Sequence, residues 1–218
     1  MGWSAMKKYV MFDLDGTIID SAPGILNGFE YALKFYGREN INKQDFMKYI
    51  GPPLIDSMAI ELGEENAAPA LAKYREYYSA KGQYECSVYD GVREMIKRLH
   101  DAGCTLVLAT SKKESLAVSI MEHIGFAEYF HVLAGSDDVL RKDKTSVMRW
   151  ALEQAGIVDF SQAVMVGDRM YDIESSKELG VECIGVLYGF GSLEELSRYG
   201  ADHIARTAGD VGDIVLNT

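Results

Sequence analysis

Short apolar runs alternate with helically spaced apolar positions along most of the chain. Tyr9–Leu14, Cys104–Ala109, His131–Ala134, Ala163–Val166 and Glu182–Val186 are rich in β-branched and aliphatic residues, too short for helices, and bounded by Gly, Asp, Ser or Thr. Runs of this kind predict buried strands. Between them, Val92, Met95, Ile96 and Leu99 recur at i, i+3, i+4 and i+7 and the segment stops at Gly103. Val147, Met148, Ala151, Leu152 and Ala155 follow the same spacing before Gly156. Strand–helix alternation predicts an α/β protein with a doubly wound parallel sheet covered on both faces.

The stretch from about residue 21 to 85 breaks this rhythm. It shows no convincing strand and several helical patterns, such as Ile25, Leu26, Phe29, Leu33 and Tyr36, and it holds all four prolines of the chain. The pattern predicts a helical block inserted after the first strand and folding as its own small bundle. On this reading residues 1–20 and 86–218 form the α/β domain and 21–85 the insertion, with Gly82 and Gly91 as return hinges. Neither an internal repeat nor a low-complexity tract is present.

Charge changes the picture next. The 218 residues include 33 acidic and 22 basic side chains, a net charge of −11, which argues against a nucleic acid polymer as partner. A small phosphorylated metabolite remains compatible, because a bound cation reverses the local sign of a pocket. Aromatic residues at 11% and apolar segments along the whole length argue against disorder. Cys86, Cys104 and Cys183 lack metal-ligand spacing and fit a reduced compartment. No secretory leader is legible in Met1–Lys8, and no apolar run approaches the roughly 20 residues that span a bilayer. The expectation is a cytoplasmic protein without membrane association; Met6-Lys7-Lys8 reads as a natural start, with Met1–Ala5 an extra segment ahead of it. His100, His123, His131 and His203 have no carboxylate or cysteine pattern around them and receive no role.

The candidate chemistry sits at strand exits, where ligands gather in open α/β sheets. The first strand runs into Asp13-Leu14-Asp15-Gly16-Thr17, placing two carboxylates two residues apart on extended backbone. The run ending at Ala109 continues into Thr110-Ser111, whose hydroxyls and amides could hold phosphoryl oxygens. Val164–Val166 leads into Gly167-Asp168-Arg169-Met170-Tyr171-Asp172, with Asp168 and Asp172 about one helical turn apart. Like charges so placed repel unless a cation holds them. Lys144 opens a helix over Thr145–Ala155, where a lysine opposes the helix dipole and is better explained by a facing anion or carboxylate. Lys142 and Lys177 compete for that role, and Lys112 is either a phosphate contact or a solvated lysine.

Asp-x-Asp-Gly-Thr at 13–17, Thr110, Lys144 and Gly-Asp-x-x-x-Asp at 167–172 together resemble the haloacid dehalogenase-type hydrolases. Ile50–Leu54, Val88–Gly91 and Gly185–Gly191 are similar to its phosphoglycolate phosphatase and 5′-nucleotidase-like branch. The resemblance covers nearly the whole chain and implies a Rossmann-like core with a helical cap inserted after the first motif. It implies a phosphatase of small monoesters, 5′-nucleotides first and phosphoglycolate second. Asp13 would be the nucleophile; an aspartate is already ionised at neutral pH and needs no base to activate it. Asp13 and Asp168 would bind Mg²⁺ through their carboxylates and Asp15 through its main-chain carbonyl. The Asp15 side chain would serve as general acid and then general base. Thr110, Ser111 and Lys144 would hold the transferring phosphoryl group, Asp172 would orient Lys144 or a metal-bound water, and the Gly51–Leu54 loop would take part in substrate binding through Gly51.

Two other readings use similar residues. A sugar phosphomutase also carries Asp-x-Asp and a cap, but needs a second phosphate site, and no arginine lies near Gly51–Asp56. A receiver-type signalling domain also gathers aspartates, a hydroxyl and a lysine around Mg²⁺, but places its phospho-acceptor on a later strand. Tyr74, Tyr77 and Tyr78 suit either nucleobase stacking or the insertion's own core. The sequence leaves the oligomeric state open.

Overall fold

The computed structural model describes residues 8–51, 54–137 and 139–217. In chain order the strands are β1 (Tyr9–Phe12), β2 (Ile19–Asp20), β3 (Ser87–Val88), β4 (Thr105–Lys113), β5 (Phe130–Ser136), β6 (Ala163–Gly167), β7 (Glu182–Val186) and β8 (His203–Ala205). Val10, Met11 and Phe12 are fully buried. Burial without alternation is what a strand covered on both faces requires. Six strands form one sheet in the order β5-β4-β1-β6-β7-β8, and every pairing is parallel. The chain winds outward from β1 through β4 and β5, then crosses back to the other side of β1 with β6. That reversal is the topological switch point, where a crevice opens at the carboxyl ends of the strands.

Chain reversals over the sheet are made by α4 (Val92–Asp101), α5 (Glu114–His123), α6 (Lys144–Gln154), α7 (Met170–Leu179), α8 (Leu193–Tyr199) and α9 (Ala208–Asn217). Val147, Met148, Ala151 and Leu152 of α6 and Ile173 and Leu179 of α7 join Met11, Val107 and Met165 in one buried cluster. The start of α6 is fixed locally. Asp143 accepts from the Ser146 amide at 2.8 Å while the Ser146 hydroxyl accepts from the Asp143 amide at 3.2 Å, a reciprocal cap.

Two features differ from the sequence expectation. The strand expected to stop at Ala109 continues to Lys113, because residues 110–112 of β4 lie opposite the single residue Gly135 of β5 in a bulge. The sixth strand, β8, is three residues long and carried no pattern of its own. None of the three cysteines forms a disulfide.

Residues Ser21–Ser87 form a second compact unit, and Met1–Asp20 with Val88–Thr218 the first. The second unit holds α1 (Ala22–Phe35), α2 (Leu54–Leu62) and α3 (Glu64–Ala80) with short 3₁₀ turns at Lys43–Tyr49 and Gly82–Tyr84. Its core is aromatic: Phe29 stacks on Tyr49 at 5.7 Å and meets Tyr74 edge-on at 5.6 Å, and Tyr74 stacks on Tyr78. Gly28 permits this, since a Cβ there would lie 2.7 Å from the Tyr74 ring. Tyr74 and Tyr78 are therefore buried core residues rather than a nucleobase platform, and the Tyr77 hydroxyl donates to Glu85. Gly51 is exposed in this unit; Pro52 and Pro53 beside it, like Met1–Ala5, lie outside the described residues.

Candidate active site

The parallel register sets Phe12 beside Leu108 on one side and Val166 on the other, so the exits of β1, β4 and β6 emerge together. Asp13 is the first residue past β1, and its amide still donates to the Val166 carbonyl. Lys144, the first residue of α6, reaches it: Nζ lies 2.8 Å from Asp13 Oδ1 and 2.7 Å from Asp172 Oδ1. These two carboxylates offset the cost of a buried lysine in the first turn of a helix. Lys142 is exposed and Lys177 donates to the Tyr199 carbonyl, so Lys144 is the one of the three at this cluster. Asp172 is held from both sides, its Oδ2 accepting from the Arg169 amide at 3.1 Å.

Asp168 is completely buried. Its Oδ2 accepts from the Phe190 amide at 2.7 Å, while its Oδ1 is buried without a hydrogen-bond partner. Three glycines make room around this group and a fourth around Asp172. A Cβ on Gly16, itself at φ +82, would lie 2.2 Å from Asp168 Oδ2, and one on Gly191 1.8 Å from the Asp168 carbonyl oxygen. A Cβ on Gly189 would meet the Gly16 carbonyl at 2.1 Å, and one on Gly167 would meet Asp172 Cγ at 2.2 Å. The segment after β7 therefore packs main chain against carboxylate, which only residues without side chains allow. The contribution of the Phe190 amide was not legible from residue types, although the Gly189-x-Gly191 spacing is the signal that accompanies it.

The electrostatics follow from this burial. Desolvation pushes Asp13 up to about 6 despite the neighbouring Lys144. Desolvation also raises Asp168 well above the carboxylate range, reinforced by Asp172 and Asp13. Burial opposes the Lys144 ammonium, but Asp13 and Asp172 outweigh it and hold the charge more firmly than usual. Among the described residues Asp168 makes no salt bridge. Ligand oxygens of Asp13, Asp168 and Asp172 lie within 4.8 Å of one another. An all-carboxylate set with an unpartnered buried oxygen fits a hard divalent cation such as Mg²⁺. Asp15, expected to contribute its main-chain carbonyl, is not part of the side-chain triad; Asp172 is.

Asp15 pairs instead with Lys112, whose Nζ lies 2.9 Å from Asp15 Oδ2. Thr110 is buried within β4, in the bulge before Lys113, and its hydroxyl accepts from the Lys112 amide, whereas Ser111 is exposed. The structure thus joins Asp13, Lys144, Asp172 and Asp168 in one cluster and Asp15 with Lys112 in a pair. Among the described residues, no helix is long and apolar enough to cross a membrane.

Comparison with known proteins gives a consistent family. The model of the haloacid dehalogenase-like hydrolases matches residues 10–186. The chain is 36% identical over 197 residues to a 5′-nucleotidase of Pseudomonas aeruginosa, covering 89% of each chain. It is 37% identical over 194 residues to the tyrosine-protein kinase PtkA of Mycobacterium tuberculosis, covering 88% of this chain and 66% of that one. A haloacid dehalogenase-like family hydrolase from Streptococcus pneumoniae superposes with a TM-score of 0.89 at 29% identity, covering 95% of this chain and 97% of the other.

Proposed function

The chain belongs to the haloacid dehalogenase-like hydrolases, and we propose that it acts there as a Mg²⁺-dependent phosphatase of small phosphate monoesters through an aspartyl-phosphate on Asp13. The observation that carries this reading is the buried cluster in which Lys144 joins Asp13 to Asp172, beside the unpartnered oxygen of Asp168. Bound by Asp13, Asp168 and the Asp15 carbonyl, Mg²⁺ would remove the repulsion between a carboxylate nucleophile and a phosphate dianion.

The chain's own groups supply the rest. Asp13 attacks phosphorus as the bond to the leaving alcohol breaks, and Asp15 gives that alcohol its proton. Asp15 then takes a proton from the water that hydrolyses the aspartyl-phosphate, which restores both residues. Thr110, the Ser111 amide and Lys144 stabilise the transferring group, the dominant requirement of phosphoryl transfer. Asp172, 2.7 Å from Lys144, keeps that ammonium aimed at Asp13. The helical unit Ser21–Ser87 is the specificity-setting cap in this reading. A 5′-nucleotide is the favoured substrate, supported by the relative named a 5′-nucleotidase, with phosphoglycolate next.

A turnover panel tests the proposal: nucleoside monophosphates, 2-phosphoglycolate, sugar phosphates and phosphotyrosine, with Mg²⁺ and with a chelator. Expected are release of inorganic phosphate fastest from a 5′-nucleotide, loss with the chelator, and loss on the order of 10⁴-fold or more in Asp13→Asn. Undiminished turnover by Asp13→Asn would overturn it. Transfer of the phosphoryl group to a tyrosine rather than to water would place the protein with the relative named a kinase.

A further inference from the structure

We propose that Lys112 is a positioning residue for Asp15, holding its carboxyl group in the orientation from which it exchanges a proton with the leaving group. This rests on the reading of Asp15 as acid and base given above. The two oxygens of Asp15 have different surroundings. Oδ2 lies 2.9 Å from Lys112 Nζ, whereas Oδ1 is buried and accepts no hydrogen bond. The ammonium therefore holds one oxygen of the carboxyl group and fixes its orientation.

Lys112 can do this because the chain around it is held. Residues 110–112 form the bulge of β4 opposite Gly135, where a Cβ would lie 2.6 Å from the Lys112 carbonyl oxygen. Bulges re-aim side chains beside active sites. The Lys112 amide donates to the Thr110 hydroxyl, and two residues on, Glu114 pairs with Arg141 and accepts from the Gly135 amide. The Lys112 side chain is only 9% exposed, so it is not the solvated lysine its sequence context allowed. The charge count also divides cleanly. Lys144 serves Asp13 and Asp172, Lys112 serves Asp15, and Asp168 is left for the cation.

In the first step the carboxyl proton of Asp15 passes to the leaving oxygen as its bond to phosphorus breaks and the bond from Asp13 forms. In the second, the Asp15 carboxylate takes a proton from the attacking water as the bond between Asp13 and phosphorus breaks. A nucleoside leaving as an alkoxide needs that first proton; p-nitrophenolate does not. Leaving-group dependence therefore separates a residue acting through Asp15 from one that binds phosphate.

The test measures kcat/KM, which reports only steps through loss of the leaving group, for adenosine 5′-monophosphate and p-nitrophenyl phosphate at saturating Mg²⁺. Lys112→Met is expected to lower the first about 100-fold and the second less than about 3-fold. Lys112→Arg, which keeps a cationic donor, should restore most of the loss, and Lys112→Met should add nothing further in an Asp15→Asn background. Inhibition by inorganic phosphate should be unchanged. Equal losses on both substrates, weakened phosphate inhibition, or additivity with Asp15→Asn would show Lys112 to be a phosphate contact or a structural residue and overturn the proposal. Absence of any loss would do the same. Wild-type protein that hydrolyses neither ester would instead remove the phosphatase reading, and this inference with it.

Discussion

Asp13 is buried beside an ammonium yet titrates near 6, because desolvation outweighs the attraction of Lys144. A carboxyl group raised in this way stabilises the folded protein fully below its unfolded value near 4, and that contribution is lost as pH rises through 6. Asp168 is raised in the same sense. Protein stripped of divalent metal is therefore expected to lose thermal stability from pH 5 to 7.5 more steeply than its Asp13→Asn variant. Mg²⁺ should raise Tm more at pH 7.5 than at pH 5, since it binds the ionised form; melting curves at the two pH values decide the matter, and equal shifts would contradict it. The carboxylates were legible because they follow strand ends, and Lys144 because a lysine opening a helix needs an explanation. The partner of Lys112 was less accessible. Lys112 read as either a phosphate contact or a solvated lysine, because the bulge that aims it depends on the neighbouring strand and on Gly135.

Beside the ion pairs of Lys144, a main-chain contact orders the switch point. The Phe190 amide fixes Asp168 only because Gly189 and Gly191 bring the segment after β7 against it. Gly191→Ala forces a methyl group into the Asp168 carbonyl, so a loss of about 1–3 kcal/mol is expected from overpacking. On the proposed role of Asp168 in holding Mg²⁺, affinity for the ion should weaken about 10–100-fold, read by titration of the ion against the folded variant. Unchanged affinity would mean that Asp168 does not depend on this loop. The long apolar strands were visible in the sequence because they are buried on both faces. The three-residue β8 was not, because its half-buried His203 and Ile204 give no periodicity and its place is set by pairing with β7.

At the scale of the molecule, the net charge of −11 has a local counterpart: Asp13, Asp15, Asp168 and Asp172 face Lys112 and Lys144, an acidic excess that suits a cation. The two compact units are expected to melt on their own cores, and the helical one has Phe29 at the centre of its aromatic stack. Phe29→Ala is expected to cost that unit about 3–5 kcal/mol and to melt it first. Calorimetry should then show a low-temperature transition insensitive to Mg²⁺ and a higher one that Mg²⁺ still raises; a single merged transition would contradict independent cores. The glycines around Asp168 have a different consequence at this scale. Positions 16, 167, 189 and 191 are closed to diversification in any laboratory evolution of new specificity, since every replacement adds atoms where a carboxylate or a carbonyl already stands. Variation has to be spent on surfaces away from these carboxylates.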